Sequence, residues 1–174
     1  MAFSNHRQQF RYYPHVWQEF CQLPQTLGAG QREYPHWHKG RERYYVWALD
    51  VDVPQVNARL QRYRQQLARH IVDPYLRQAH ITVAVSGFLV DGGRHNDDVS
   101  AADINRQVGA LHALNLQAFS LTIGNASSFA SAPFLEVVDA TSSLEKMRRA
   151  LMEGADEFRT VPYVPHVTIG IYNG

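Results

Sequence analysis

His80-Ile81-Thr82-Val83 and His166-Val167-Thr168-Ile169 are the stretches on which the rest of the chain turns. Each sets a His-x-Thr inside a short β-branched run, the composition of a strand. Side chains alternate faces along a strand. His80 and Thr82 therefore share one face, and so do His166 and Thr168, while Ile81, Val83, Val167 and Ile169 point the other way. Each motif offers an imidazole and a hydroxyl to one side and anchors itself in a core by the other.

In a 174-residue chain with nine His, chance gives about 0.3 such matches, so two call for a cause. The surroundings correspond as well. Tyr45-Val46-Trp47-Ala48-Leu49-Asp50 precedes the first motif, followed by a helical segment and a Pro-containing loop. Phe134-Leu135-Glu136-Val137-Val138-Asp139 precedes the second, with the same succession. Asp50 lies 30 positions before His80 and Asp139 lies 27 before His166. Matching order at near-matching spacing reads as an internal duplication.

Composition narrows the function classes. Hydrophobic residues make up 45%, with three Trp, nine Tyr and eight Phe, which supplies a core and excludes a disordered chain. A net charge of +1 leaves no field for wrapping long duplex nucleic acid. Fifteen of the 17 basic residues are Arg, a skew read as base composition rather than as a phosphate-binding surface. A lone Cys21 rules out an internal disulfide framework and fits a reducing compartment. With no basic-then-apolar leader and no run near the roughly 18 apolar residues of a membrane span, the expectation is a cytoplasmic protein without membrane partners.

Residues 1–42 are aromatic and Gln-rich with weak periodicity, interrupted at Gly28-Ala29-Gly30, and read as an N-terminal arm packed on the remainder. His36 and His38 form a His-x-His, but no Cys or carboxylate stands at metal-site spacing, so no metal is expected. Residues 43–51 read as a strand. Asp52 and Pro54 open a helix carrying Val56, Leu60, Tyr63, Leu67 and Ile71 at helical spacing, and Asp73-Pro74 stops it. The first motif strand runs to about Val90 and turns at Asp91-Gly92-Gly93. Ser100 with Asp103, and later Ser142 with Glu145, resemble capping boxes. The first would open a helix burying Ile104, Val108 and Leu111; the second, a helix burying Leu144, Met147 and Leu151. Between them lie a strand through Phe119, Leu121 and Ile123, a polar loop from Asn125 to Ser131, and a strand over Phe134–Val138. Gly154 ends the last helix, and Arg159, Pro162 and Pro165 lead to the second motif. This order predicts an α+β fold over residues 43–174, with motif-bearing halves at about 43–98 and 115–174. The expected arrangement is bilobal: two pseudo-twofold-related, mostly antiparallel sheets with outer helices and a central cleft.

The paired His-x-Thr-x motifs resemble those of the 2H phosphoesterase superfamily, which includes 2′-5′ RNA ligase-like proteins and 2′,3′-cyclic phosphodiesterases. Arg43-Tyr44-Tyr45-Val46-Trp47-Ala48-Leu49-Asp50 resembles its opening strand, and Val164-Pro165-His166-Val167-Thr168 its second motif with the preceding proline. The resemblance spans about residues 43–172 and implies a site that needs no cofactor. It also implies a substrate: an RNA 3′ end or small nucleotide bearing a cyclic phosphate. A 2′-5′ ligase or 2′-5′ oligonucleotide phosphodiesterase is the alternative activity, and an RNA-end binding module without turnover a third reading.

The residue types suit that chemistry. In-line cleavage of a phosphodiester needs a base for the incoming hydroxyl and an acid for the leaving oxygen, and His80 and His166 can hold those opposite protonation states near neutrality. Thr82 and Thr168 would donate to the non-bridging oxygens. Pseudo-symmetry leaves the choice of acid to the substrate's orientation. Tyr172 and Phe88 share strand parity with His166 and His80, which makes them candidates to flank the bound group.

Overall fold

The computed structural model describes residues 6–28, 34–154 and 162–174. Ala29, Gly30 and Arg159 lie outside them. In chain order the elements are α1 (His6–Cys21), α2 (Tyr34–His38), β1 (Tyr44–Asp50), α3 (Pro54–Gln66), β2 (His80–Leu89), β3 (Asp98–Val99), α4 (Ala101–Ala113), β4 (Thr122–Ser128), β5 (Pro133–Val138), α5 (Ser143–Met152) and β6 (His166–Thr168). The α+β reading stands.

The two expected sheets are instead one. The strands run β1-β2-β6-β5-β4, all antiparallel along that path, because Ile81 of β2 pairs with Val167 of β6 and joins the halves. β2 is longer than β6, so its edge beyond Ile81 is open to another partner, and β3 takes its far end in parallel at Phe88 and Leu89.

The duplication is visible in this order. β1–α3–β2 and β5–α5–β6 are two strand–helix–strand units exchanged by a pseudo-twofold axis through the Ile81–Val167 pair. Their registers correct the sequence alignment of the halves. Asp50 pairs with His80, and the residue that pairs with His166 is Glu136, not Asp139. Both carboxylates then stand thirty positions before their histidine. Asp139 has another task. It is buried, and its carboxylate accepts Leu144 N at 2.7 Å and Thr141 N at 3.0 Å, which caps α5. The expected capping box at Ser142 is absent, since Ser142 sits in the left-handed region at φ 56 and makes no side-chain cap. The box at Ser100 and Asp103 does form.

Helices cover one face of the sheet. Val56 and Leu60 of α3 and Leu144 and Leu151 of α5 pack with Ile81, Val83, Leu135, Val137, Val167 and Ile169. Burying one such side chain contributes about 1.5–3 kcal/mol. On α4 the buried position is Gln107, not Val108, which is exposed. Gln107 is partnered at both ends of its amide: Trp47 Nε1 and Ser86 Oγ donate to its carbonyl, and its NH2 group donates to Leu151 O. Tertiary hydrogen bonding here overrides the apolar pattern.

Three other expectations shift. α3 ends before Ile71, which instead bridges to Tyr172. The polar stretch from Asn125 is strand as far as Ser128, bulged between Ile123 and Ala126. The N-terminal segment contains a 16-residue helix, α1, with Pro14 inside it, and Tyr13 of that helix packs on Phe134 and Val164.

Gly87 shows how tightly β2 and the β3 approach fit. Its φ is +113, and a Cβ there would lie 2.2 Å from the carbonyl oxygen of Asp97, the oxygen that accepts Phe88 N. Gly87→Ala is expected to cost about 3 kcal/mol or more, from strain and collision together. A urea titration reads it as a lowered midpoint; an unchanged midpoint would mean that this crossing is loose.

Candidate active site

The antiparallel pairing of Ile81 with Val167 sets the site. Continued by one residue each way, it puts His80 across from Thr168 and Thr82 across from His166. All four side chains lie on the face opposite the helical core, in a square with the histidines on one diagonal and the threonines on the other. Diagonal neighbours in such a ladder have Cα atoms about 7–8 Å apart. All four are half-buried. The structure thus brings together every motif residue that the sequence singled out.

Both imidazoles are held alike. His80 Nδ1 lies 2.8 Å from the carbonyl of Gln78, and His166 Nδ1 lies 2.7 Å from that of Val164. A carbonyl only accepts, so Nδ1 carries the proton and the basic lone pair of the neutral ring is on Nε2. The partner is two residues upstream in each case, as the pseudo-twofold requires.

A second layer supports the first. Asp50 accepts the Gln78 amide at 2.9 Å and Asp52 N at 2.8 Å, fixing the residue whose carbonyl fixes His80. On the other side Glu136 stands beside His166 in register. Burial raises its carboxyl above the ordinary range, and the Asn125 N–H partly offsets that. Gly124 of the β4 bulge gives it room, since a Cβ there would come within 2.9 Å of Glu136 Cβ.

The uncovered edge of β2 is bonded by side chains from the second unit. Tyr163 Oη donates to Thr82 O at 2.9 Å, and Arg148 donates to Val83 O at 3.0 Å with its guanidinium 4.7 Å from the Tyr163 ring. Burial holds the Tyr163 phenol above its ordinary pKa and therefore protonated. Sequence reading missed Tyr163, Arg148, Gln78 and the role of Glu136. Only for Glu136 was there a signal, its thirty-residue interval to His166.

The halves differ in their apolar surroundings. Phe134 pairs with Thr168, whereas the residue that pairs with Thr82 is Ala48. Phe134 and Phe129 pack on the His166 ring at 5.3 and 5.0 Å between centroids. One side of the square is walled by aromatics.

The two proposed flanking residues lie elsewhere. Phe88 is wholly buried at the far end of β2, beneath Trp37, His38, Tyr44 and the Arg41 guanidinium, with no surface to offer a ligand. Tyr172 is buried too, hydrogen-bonded to Ser128 and near-parallel to Phe20, on the wall of a cavity of about 480 Å³. Neither that cavity nor one of about 240 Å³ between β2, β3 and α4 includes the motif side chains. His36 and His38 sit in α2, and among the described residues no group of three or more His, Cys, Asp or Glu is arranged to hold a metal ion.

Two His-x-Thr strands, paired about a pseudo-twofold axis with their four polar side chains on one face, make this chain a 2H phosphoesterase by class. Within that class, the sequence profile of the 2′-5′ RNA ligase superfamily matches residues 50–174, and the chain belongs to that superfamily. It is a family of phosphodiesterase and ligase-like enzymes acting on RNA or nucleotides. No curated protein and no solved structure matched the chain significantly. Among the described residues no helix is long and apolar enough to cross a membrane.

Proposed function

We propose that this protein opens 2′,3′-cyclic phosphates, on RNA ends or small nucleotides, to 2′-phosphates by metal-independent acid–base catalysis. The phosphate sits over the square of His80, Thr82, His166 and Thr168. One histidine takes the proton of a water through Nε2 as the water oxygen bonds to phosphorus. The other gives its Nε2 proton to the 3′ oxygen as the P–O3′ bond breaks. Thr82 and Thr168 donate to the two non-bridging oxygens as charge builds there. The observation that carries the reading is the matched pinning of both Nδ1 atoms, at 2.8 and 2.7 Å, on diagonal positions. A binding surface needs hydroxyls and cations; it has no use for two acid–base groups held in one tautomer.

The test is turnover of 2′,3′-cyclic nucleotides with EDTA present, with the product identified by chromatography. The expected result is a 2′-phosphate formed at an undiminished rate and a bell-shaped pH profile, because one histidine must be neutral while the other is protonated. Loss of activity with EDTA, restored by a divalent cation, would overturn the metal-independent mechanism. Cleavage confined to 2′-5′-linked oligonucleotides would keep the site and replace the substrate.

A further inference from the structure

Pro165 leaves a gap in the framework of the square, and a residue of the N-terminal helix fills it. One step beyond the Glu136–His166 pair, β5 is at Val137 and the chain entering β6 is at Pro165. A proline has no N–H, so the backbone alone cannot close that step from both sides. Tyr13 Oη stands there instead. It accepts Val137 N at 2.9 Å, and its proton faces the carbonyls of Val137, at 2.8 Å, and Pro165, at 2.5 Å. Tyr13 is 5% exposed, and burial raises its phenol above the ordinary pKa, so the hydroxyl keeps the proton it donates.

The pseudo-twofold mate of this step needs no such help. One step beyond the Asp50–His80 pair stand Val51 and Ala79, and Val51 N donates directly to Ala79 O at 3.1 Å. In that half Gln78, whose carbonyl holds His80, is itself held through its side chain by Asp50. Val164, whose carbonyl holds His166, has no polar side chain to be held by. Tyr13 supplies the difference. It packs against Val164 and bonds to the carbonyl of the next residue. It also lies against Phe134, with ring centroids 6.2 Å apart, and Phe134 packs on the His166 ring. A tyrosine that only filled the core would need one partner for its hydroxyl; this one meets three polar atoms, all on β5 or on the residue before His166.

We propose that Tyr13 is a positioning residue for His166: its hydroxyl replaces the missing Pro165 N–H. Helix α1, which lies outside the residues 50–174 matched by the family profile, is then part of the site. That the histidine so positioned is catalytic rests on the proposed function; the repair of the ladder does not.

Tyr13→Phe removes the hydroxyl and keeps the ring. The histidine tautomers are read without substrate from proton–nitrogen correlation spectra at about pH 8, where an ordinary imidazole is neutral. His166 is expected to lose its single Nδ1–H tautomer for a mixture, with His80 unchanged. On a 2′,3′-cyclic nucleotide kcat should fall about 10–10²-fold with KM little altered. Adding Pro165→Ala to Tyr13→Phe gives residue 165 its own N–H, and should restore the His166 tautomer and much of kcat. Gly87→Ala, which weakens the fold at the far end of β2, should leave both tautomers and kcat as they are. An unchanged His166 tautomer in Tyr13→Phe would overturn the proposal, and so would equal changes at both histidines, the mark of a general loosening. If Tyr13→Phe does not fold, the double variant decides: folded with a single His166 tautomer it upholds the replacement, and unfolded or mixed it overturns it. Turnover by wild type with His166 undisturbed in Tyr13→Phe keeps the phosphodiesterase and removes the positioning role. A disturbance confined to His166, with no turnover by wild type, keeps the positioning role and removes the phosphodiesterase.

Discussion

His80→Ala and His166→Ala are each expected to lower kcat/KM on a 2′,3′-cyclic nucleotide by about 10²–10⁴-fold, the usual contribution of a positioned acid or base. Stability should move little. Both side chains are half-buried on the face away from the helical core; His80→Ala gives up a hydrogen bond to a carbonyl, and His166→Ala a hydrogen bond and the packing of the Phe129 and Phe134 rings, so the larger change falls on His166→Ala. The double variant should fall well short of the product of the two losses, because the residues act as a unit in one transition state. Thermal melts of the same proteins separate chemistry from folding. A variant that keeps full activity removes that histidine from the mechanism and, through the pseudo-twofold axis, casts the other as a binding group.

The largest expected effect on stability belongs to Arg41. Its guanidinium donates to the carboxylates of Asp97, at 2.6 Å, and Asp98, and to the carbonyls of Trp37 and His38, and it lies 4.1 Å from the centroid of the Phe88 ring. The side chains of Arg41, Asp97 and Asp98 are 9%, 10% and 4% exposed. Arg41→Ala therefore removes the counter-charge of two buried carboxylates, leaving Asp97 to Trp37 Nε1 and Asp98 to the N–H groups of Arg94 and His95, and should cost about 3–5 kcal/mol. Arg41→Lys should recover only part of that, since a point charge cannot bond both carboxylates and both carbonyls from one plane.

The same cluster sets an acid limit. Burial alone would raise the Asp98 carboxyl, but the N–H groups of Arg94 and His95 together with Arg41 outweigh it and hold it at about 2. A carboxyl whose folded pKa is depressed contributes stability above its ordinary pKa and loses it as pH falls towards the folded value. Wild type should therefore lose stability between about pH 4 and pH 2, and Arg41→Ala should show a shallower loss across that window. Chemical denaturation at several pH values checks both; parallel curves would mean that Asp98 is not tied to Arg41.

Much of this was legible because the carriers of information were local. A strand has period two, so His-Ile-Thr-Val and His-Val-Thr-Ile announced which atoms would share a face before any contact was known. The Ser100 cap was legible for the same reason, as its partner Asp103 is three residues away. What failed had non-local causes. Ser142 lost its capping role to Asp139, whose carboxylate reaches Leu144 N from the end of β5. Gln107 displaced Val108 from the interior because Trp47, Ser86 and Leu151 from other elements met its amide. Helix α1 carries Pro14 in its interior, against the rule that proline stops a helix, and what Tyr13 of that helix rests on comes from Phe134 and Val164, more than 100 residues away.

The sequence by itself determined the chemistry: two imidazoles, two hydroxyls, their parity on two strands, and a repeat that makes the halves alike. Tertiary structure alone decided how those halves meet. The register at Ile81–Val167 turned two expected sheets into one and set the histidines on a diagonal. It also paired Glu136 with His166, and it left the β2 edge to Tyr163 and Arg148. The physical reason is that a strand's own residues fix only which way its side chains point. Where it sits against its neighbour depends on buried contacts and hydrogen bonds across dozens of residues, and those exist only once the chain has folded.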